Sequence, residues 1–285
     1  ALLEVGAKGQ RDLGAAHALV IGAGGLGSPV LPYLAGAGLA QITVVDPDIV
    51  SLTNLHRQVL FREEHIDQSK AQIAALALHG LNPECQVTPI AAALTPANAT
   101  DLIQTADIVL DCADSFAVSY ILSDTCLKLG KPLIGASALG FEGYVGGFCG
   151  QAPSLRAVFP DLPERAASCD SAGVMGPVVG TIGAMQAQMA LATLMGHQPN
   201  PLGQMVQIDV KTMRSAPFRF DMAPEPEQSF AFVAPEMLGA GDTIVELRDA
   251  DEAPVAAHPD AQRILPTQLK DKLPIAEGRL ALCCG

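Results

Sequence analysis

The stretch Gly22-Ala23-Gly24-Gly25-Leu26-Gly27 constrains this chain more than any other. It follows a β-rich apolar run, Ala18 to Ile21, and opens a helix-compatible segment from about Leu26 to Ala37. A glycine turn at such a junction aims backbone N–H groups and the positive end of a helix dipole at one point, which favours an anion there. Asp46 ends the next β-rich run, 19 residues after Gly27, the spacing that sets a carboxylate on ribose hydroxyls. The plainer alternative is a tight turn with no ligand. Turn and carboxylate together serve a nicotinamide dinucleotide as readily as ATP.

The surrounding pattern predicts an α/β fold: a Rossmann-like, doubly wound, mainly parallel sheet with flanking helices, plus a small C-terminal segment. Strands are expected at Ala18 to Ile21, Gln41 to Val45, Gln86 to Ile90, Ile108 to Asp111 and Pro132 to Ile134. Helices are expected from about Leu26 to Ala37, Lys70 to His79, Pro96 to Thr105 and Phe116 to Leu129. Gly150 to Ala172 reads as a long functional loop, and Gly176 to Met195 as an apolar helix buried in the subunit or against a second copy. Two prolines in Ala223 to Gln228 mark a linker, giving a main domain over 1–222, a linker over 223–234 and a small segment over 235–285.

Composition excludes several classes. A formal net charge of -13 argues against phosphate-backbone binding, so nucleic acid is not an expected partner. Seven cysteines with no C-x-x-C pair and no secretory leader fit a reducing cytoplasm, and neither a disulfide framework nor a zinc site is expected. Two stretches without charged residues, Leu13 to Val45 and Ser171 to Ile208, have the length of a membrane span. Glycines and prolines break the first, and Gln186, Gln188 and His197 interrupt the second, so both are expected to be core.

Downstream residues favour ATP over a nicotinamide cofactor. A polar loop from Asp48 through Asn54, Arg57 and Gln58 leaves the C-terminal edge of the sheet, where ligands of open α/β sheets bind. Ser69-Lys70 then opens a helix, with Lys70 thirteen residues after Arg57. The order G-x-G-G-L-G, D-x-D-x-V-x-x-x-N-L-x-R-Q and a helix-start Lys resembles the ThiF/MoeB/HesA family of E1-like adenylyltransferases. Asp111-Cys112-Ala113-Asp114, Phe141-Glu142-Gly143 and Ala172-Gly173-Val174-Met175-Gly176-Pro177 continue the resemblance, which covers about residues 3 to 222.

The resemblance implies ATP-dependent adenylation of the C-terminal glycine carboxylate of a small ubiquitin-like sulfur carrier, of the MoaD or ThiS type. It also implies a homodimer and a persulfide sulfur donor. Arg57 and Lys70 would supply cations where charge develops, with Asn54 and Gln58 orienting phosphates, Asp46 on the ribose and Asp48 beside it; Gly22, Gly24, Gly25 and Gly27 would cradle the nucleotide. Asp114 would hold Mg2+, a hard ion suited to carboxylate and phosphate oxygens. The plainer alternatives are a solvated face for Arg57 and Lys70 and a helix N-cap for Asp114.

Cys169 occupies the place of a conspicuous family cysteine, as nucleophile or persulfide carrier, with a spectator thiol as the alternative. The chain departs from the family in lacking both zinc C-x-x-C pairs, with Ser154-Leu155-Arg156-Ala157 and Pro226-Glu227-Gln228-Ser229 in their places, and in carrying Ser115 where Asn is usual. The family's R-Y-x-R-Q opening is missing, as expected of a sequence trimmed at its N-terminus. Ile244 to Glu252 and Leu280 to Gly285 resemble the front half of a rhodanese-like domain, in which Cys283 or Cys284 would carry sulfur in a longer protein. That tail favours a molybdopterin-type pathway over a thiamin type. An NAD-dependent oxidoreductase and a non-catalytic carrier-binding scaffold are the rival functions.

Overall fold

Short aliphatic runs separated by helical segments cannot pair as hairpins, and must pair in parallel through crossovers. The structure, a computed structural model that describes residues 2–161, 173–272 and 278–283, has that arrangement. In chain order come α1 (Gly6–Leu13), β1 (His17–Ile21), α2 (Gly27–Gly36), β2 (Gln41–Val45), α3 (Lys70–Leu81), β3 (Gln86–Ile90), α4 (Ala99–Gln104), β4 (Ile108–Asp111), α5 (Phe116–Leu129) and β5 (Pro132–Leu139). These strands lie parallel in the order β3-β2-β1-β4-β5. Strand order reverses at β1, so a crevice opens at the C-terminal ends of β1 and β4, where open α/β sheets bind ligands.

The second half adds β6 (Glu142–Cys149), α6 (Leu155–Val158), α7 (Gly176–Leu194), β7 (Gln204–Asp209) and β8 (Arg214–Arg219). β6, β7 and β8 extend the sheet antiparallel to eight strands, an extension absent from the sequence expectation. No helix among the described residues is long and apolar enough to cross a membrane. Gln186 on α7, fully buried, donates to the carbonyls of Asp111 at 2.7 Å and Ile134 at 2.9 Å and accepts from the Cys112 thiol at 3.4 Å. A buried carboxamide with its donors and acceptor engaged is an asset rather than a cost. It pins the helix to the end of β4 and to the first half of β5, behind the crevice.

The chain divides into two compact units, Ala1–Leu94 with Asn98–Phe230, and Ala231–Gly285 with Thr95–Ala97. The smaller unit contains β9 (Thr243–Glu246), β10 (Gln262–Arg263), α8 (Leu269–Lys272) and β11 (Leu280–Cys283), with β9 central and parallel to both neighbours. Glu246 is buried in it with its charge, and its two oxygens meet the Arg248 guanidinium at 2.8 Å each. That fork, with the Ala257 N–H, holds the Glu246 carboxyl down at about 2.

Replacing Gln186 with Leu leaves two buried carbonyls without their donor, so Gln186→Leu should cost about 2–4 kcal/mol. Urea unfolding checks this; a change under about 0.5 kcal/mol would show that the carbonyls find other donors.

Candidate active site

Two turns meet in the crevice. Gly22 has φ +95°, and a Cβ there would stand 2.6 Å from the Cys112 carbonyl, so only glycine lets the end of β1 touch the end of β4. The turn is fixed from the other side by Asp46, whose buried carboxylate accepts the Ala23 N–H at 2.7 Å and the Asp48 N–H at 2.8 Å. Burial raises the Asp46 pKa while those two N–H bonds oppose the rise. Gly24, Gly25 and Leu26 find no backbone acceptor for their N–H groups among the described residues, and all three line the cavity above the turn. Unpaired donors at the start of a ten-residue helix are the physical requirement for holding phosphate.

The cavity has a volume of about 460 Å3, within the range of small-molecule sites at roughly 300–1,000 Å3. Besides the turn it is lined by Asp46, Asp48, Arg57, Gln58, Lys70 and Asp114, which come from four separate stretches of sequence. Lys70 is only 4% exposed and reaches Asp48 at 2.9 Å. Its backbone N–H donates to the Asp48 carbonyl at 3.0 Å, and Ser69 caps the helix it opens. Arg57 pairs with the His56 ring at 2.9 Å. The loop carrying Arg57 is seated by α7, because a Cβ at Gly176 would collide with the His56 carbonyl. Asp114 lies one residue ahead of the N-cap Ser115 and forms no ion pair among the described residues.

Not every expected site residue lines this space. Gly27 packs against the Gly22 carbonyl, beneath the cavity. Asn54 uses its carbonyl to accept the N–H groups of Arg57 and Gln58, and so shapes the loop from outside the lining. Cys169 and Cys284 lie outside the described residues. Where family members carry a first C-x-x-C, Arg156 makes a fork to Asp124 at 2.6 and 2.9 Å, and Ser154 donates its N–H and hydroxyl to Glu225 at 2.7 and 2.6 Å. Glu225 falls in the stretch read from sequence as a linker. One wall of the cavity is aromatic and went unrecognised in the sequence: the Tyr144 and Phe159 rings lie 5.5 Å apart, tilted by 31°, and the Tyr120 hydroxyl donates to the Phe159 carbonyl at 2.8 Å. Tyr144 directly follows Phe141-Glu142-Gly143, which was the one signal available.

Asp111, just behind the cavity, carries a strongly perturbed carboxyl. Burial pushes its pKa up to about 6, against the pull of Ser119 and the Ala113 N–H. Below roughly pH 4 the folded and unfolded chains both carry the proton; between about 4 and 6 the unfolded chain ionises first and stability falls as pH rises. Above pH 6 the whole cost is present, at most about 3 kcal/mol. Asp111→Asn has no such titration, so its stability advantage over the parent should grow from pH 4 to pH 6 and then level off. Urea unfolding across pH 4–7 measures it, and parallel curves would contradict the assignment.

The chain is similar to known proteins in sequence and in fold. The model of the ThiF family matches residues 1–229. The chain is 44% identical over 211 residues to "Adenylyltransferase and sulfurtransferase MOCS3" of Bos taurus, covering 73% of this chain and 46% of that protein. It is 43% identical over 210 residues to "Adenylyltransferase and sulfurtransferase uba4" of Aspergillus fumigatus, covering 70% and 42%. The chain thus spans about half the length of the curated relatives it matches. Among solved structures, E. coli MccB with MccA-N7isoASN superposes with a TM-score of 0.67 at 24% identity, over 76% of this chain and 68% of that one. E. coli MccB with ATP gives 0.65 at 22% identity, over 76% and 67%; likeness at these identities speaks to the fold. By the family match over most of its length, the chain belongs to the ThiF family.

Proposed function

We propose that the cavity binds ATP and that the chain adenylates the C-terminal carboxylate of a small ubiquitin-like protein. The observation that carries this reading is the convergence of unpaired helix-start N–H groups with Arg57, Lys70 and Asp114 in one cavity. A nicotinamide dinucleotide has use for the turn and Asp46 but none for two cations and a further carboxylate at the phosphate end.

In the reaction, a carboxylate oxygen of the carrier tail attacks the α-phosphorus of ATP. The bond from that phosphorus to the oxygen bridging to the β-phosphate breaks, and pyrophosphate leaves with the electron pair. Negative charge grows on the leaving oxygens, and the ammonium of Lys70 and the guanidinium of Arg57 stabilise it there. Lys70 reaches that role by exchanging Asp48 for phosphate, an exchange of one anion for another that keeps the buried ammonium paired. Asp114 fits a magnesium ligand, since it lines the cavity without an ion pair among the described residues. Bound there, the ion would screen the phosphates from one another.

Relatives named both adenylyltransferase and sulfurtransferase favour a carrier of the MoaD or ThiS type, serving molybdopterin- or thiamin-type sulfur incorporation. On this reading the Cys169 thiolate attacks the acyl carbon of the adenylate and AMP leaves, or a Cys169 persulfide charged by the sulfur donor makes the same attack through its outer sulfur, again expelling AMP. On the same reading residues 1–222 act as the adenylation domain and 235–285 as a rhodanese-like segment, with Cys283 on a strand beside β9.

Exchange of labelled pyrophosphate into ATP, with Mg2+ and a carrier ending in Gly-Gly, tests the proposal. Lys70→Ala and Asp114→Ala should each lower exchange by about 100-fold or more. No exchange by the full-length protein with any such carrier, or tight binding of NAD in place of ATP, would overturn it.

A further inference from the structure

The phosphates of ATP leave a polar atom of the cavity unexplained. Gln58 is 4% exposed and lines the cavity, and its side-chain oxygen Oε1 is buried with no hydrogen-bond partner among the described residues. Its backbone is committed elsewhere, the N–H to the Asn54 carbonyl at 3.0 Å and the carbonyl to the Phe61 N–H at 3.1 Å. The carboxamide lies over the middle of the glycine turn, with Nε2 3.5 Å from the place a Cβ on Gly24 would take. Leaving a buried acceptor unpaired is costly, so a donor is expected to arrive with a ligand. Phosphate oxygens cannot be that donor, because they only accept. The ribose hydroxyls belong with Asp46, at the end of β2. The adenine amino group sits at the far end of the nucleotide from the phosphates that this turn would hold, so the donor expected over Gly24 is the second substrate, a polypeptide tail, whose last backbone N–H adjoins the carboxylate that must reach the α-phosphate.

We propose, resting on the adenylation reading above, that Gln58 Oε1 accepts the backbone N–H of the tail's terminal residue while Nε2 donates to the phosphate beneath it. One carboxamide then ties the nucleophile to the nucleotide and sets the line of attack. The arrangement also makes Gln58 a specificity determinant: it selects tails whose last residue has an N–H, and disfavours a terminal proline or N-methylated residue. A site built to bond an N–H discriminates strongly against an analogue that lacks it.

The test uses the full-length protein and a semisynthetic ubiquitin-like carrier ending in Gly-Gly or in Gly-sarcosine, read by pyrophosphate exchange. In the parent enzyme sarcosine should lower kcat/KM for the carrier by about tenfold or more. Gln58→Met keeps the volume but loses the acceptor, and should shrink that ratio to within about twofold. Gln58→Glu keeps the acceptor and loses the donor; it should retain the sarcosine penalty while raising KM for ATP. An equal sarcosine penalty in parent and Gln58→Met overturns the proposal, as does loss of the penalty in Gln58→Glu, which decides the matter if the Met variant does not fold. Absence of exchange with the Gly-Gly carrier in the parent would instead overturn the adenylation reading itself.

Discussion

The site depends on one buried carboxylate. Asp46 sits at the end of β2, and its two oxygens hold the N–H of Ala23 in the glycine turn and the N–H of Asp48 at the start of the next loop. Each bond fastens a different part of the cavity to the same point of the sheet. The Ala23 bond sets the turn that opens α2; the Asp48 bond sets the residue that pairs with Lys70. Desolvating a carboxylate is expensive, and two backbone N–H bonds are the usual compensation. Here the compensation also joins the parts of the cavity, so positioning of the glycine turn and of the Lys70 ammonium is not independent.

Much of this was legible in the sequence because the relevant segments are local. β1 to β4 are short runs each followed by a helix, and their ends fall within a residue of expectation; β5, expected to end at Ile134, runs on to Leu139 and turns into β6. The helix opened by Lys70 was visible through its Ser69 cap, and the crevice through Asp46 and its distance from the glycines. The antiparallel half was not legible. β6 contains Gly143, Gly146 and Gly147, residues that carry no strand signal, and β8, Arg-Ser-Ala-Pro-Phe-Arg, is exposed along its whole length and lacks an alternating pattern. What holds those strands is register against β5, a non-local fact.

The site shows the same division. Gly22, Gly24, Asp46, Arg57, Lys70 and Asp114 could be placed by order and spacing, and they converge. Gln186 read as a polar interruption of an apolar stretch, and only the fold shows that its carboxamide satisfies two strand carbonyls behind the cavity. The aromatic wall of Tyr120, Tyr144 and Phe159 is drawn from three elements, and no window of sequence contains it. Asn54 shows the opposite case: its place in a motif suggested contact with phosphate, while its carbonyl shapes the loop that presents Arg57 and Gln58.

The proposed chemistry requires that the cavity hold the triphosphate of ATP between the glycine turn and Lys70. A crystal structure with Mg2+ and an ATP analogue whose α,β-bridging oxygen is replaced by methylene tests it most directly. Phosphate oxygens are expected on the N–H groups of Gly24 and Gly25, with the Lys70 ammonium moved from Asp48 onto the phosphates. A nucleotide bound with its phosphates away from the turn, or Lys70 still paired to Asp48 with the analogue in place, would contradict it.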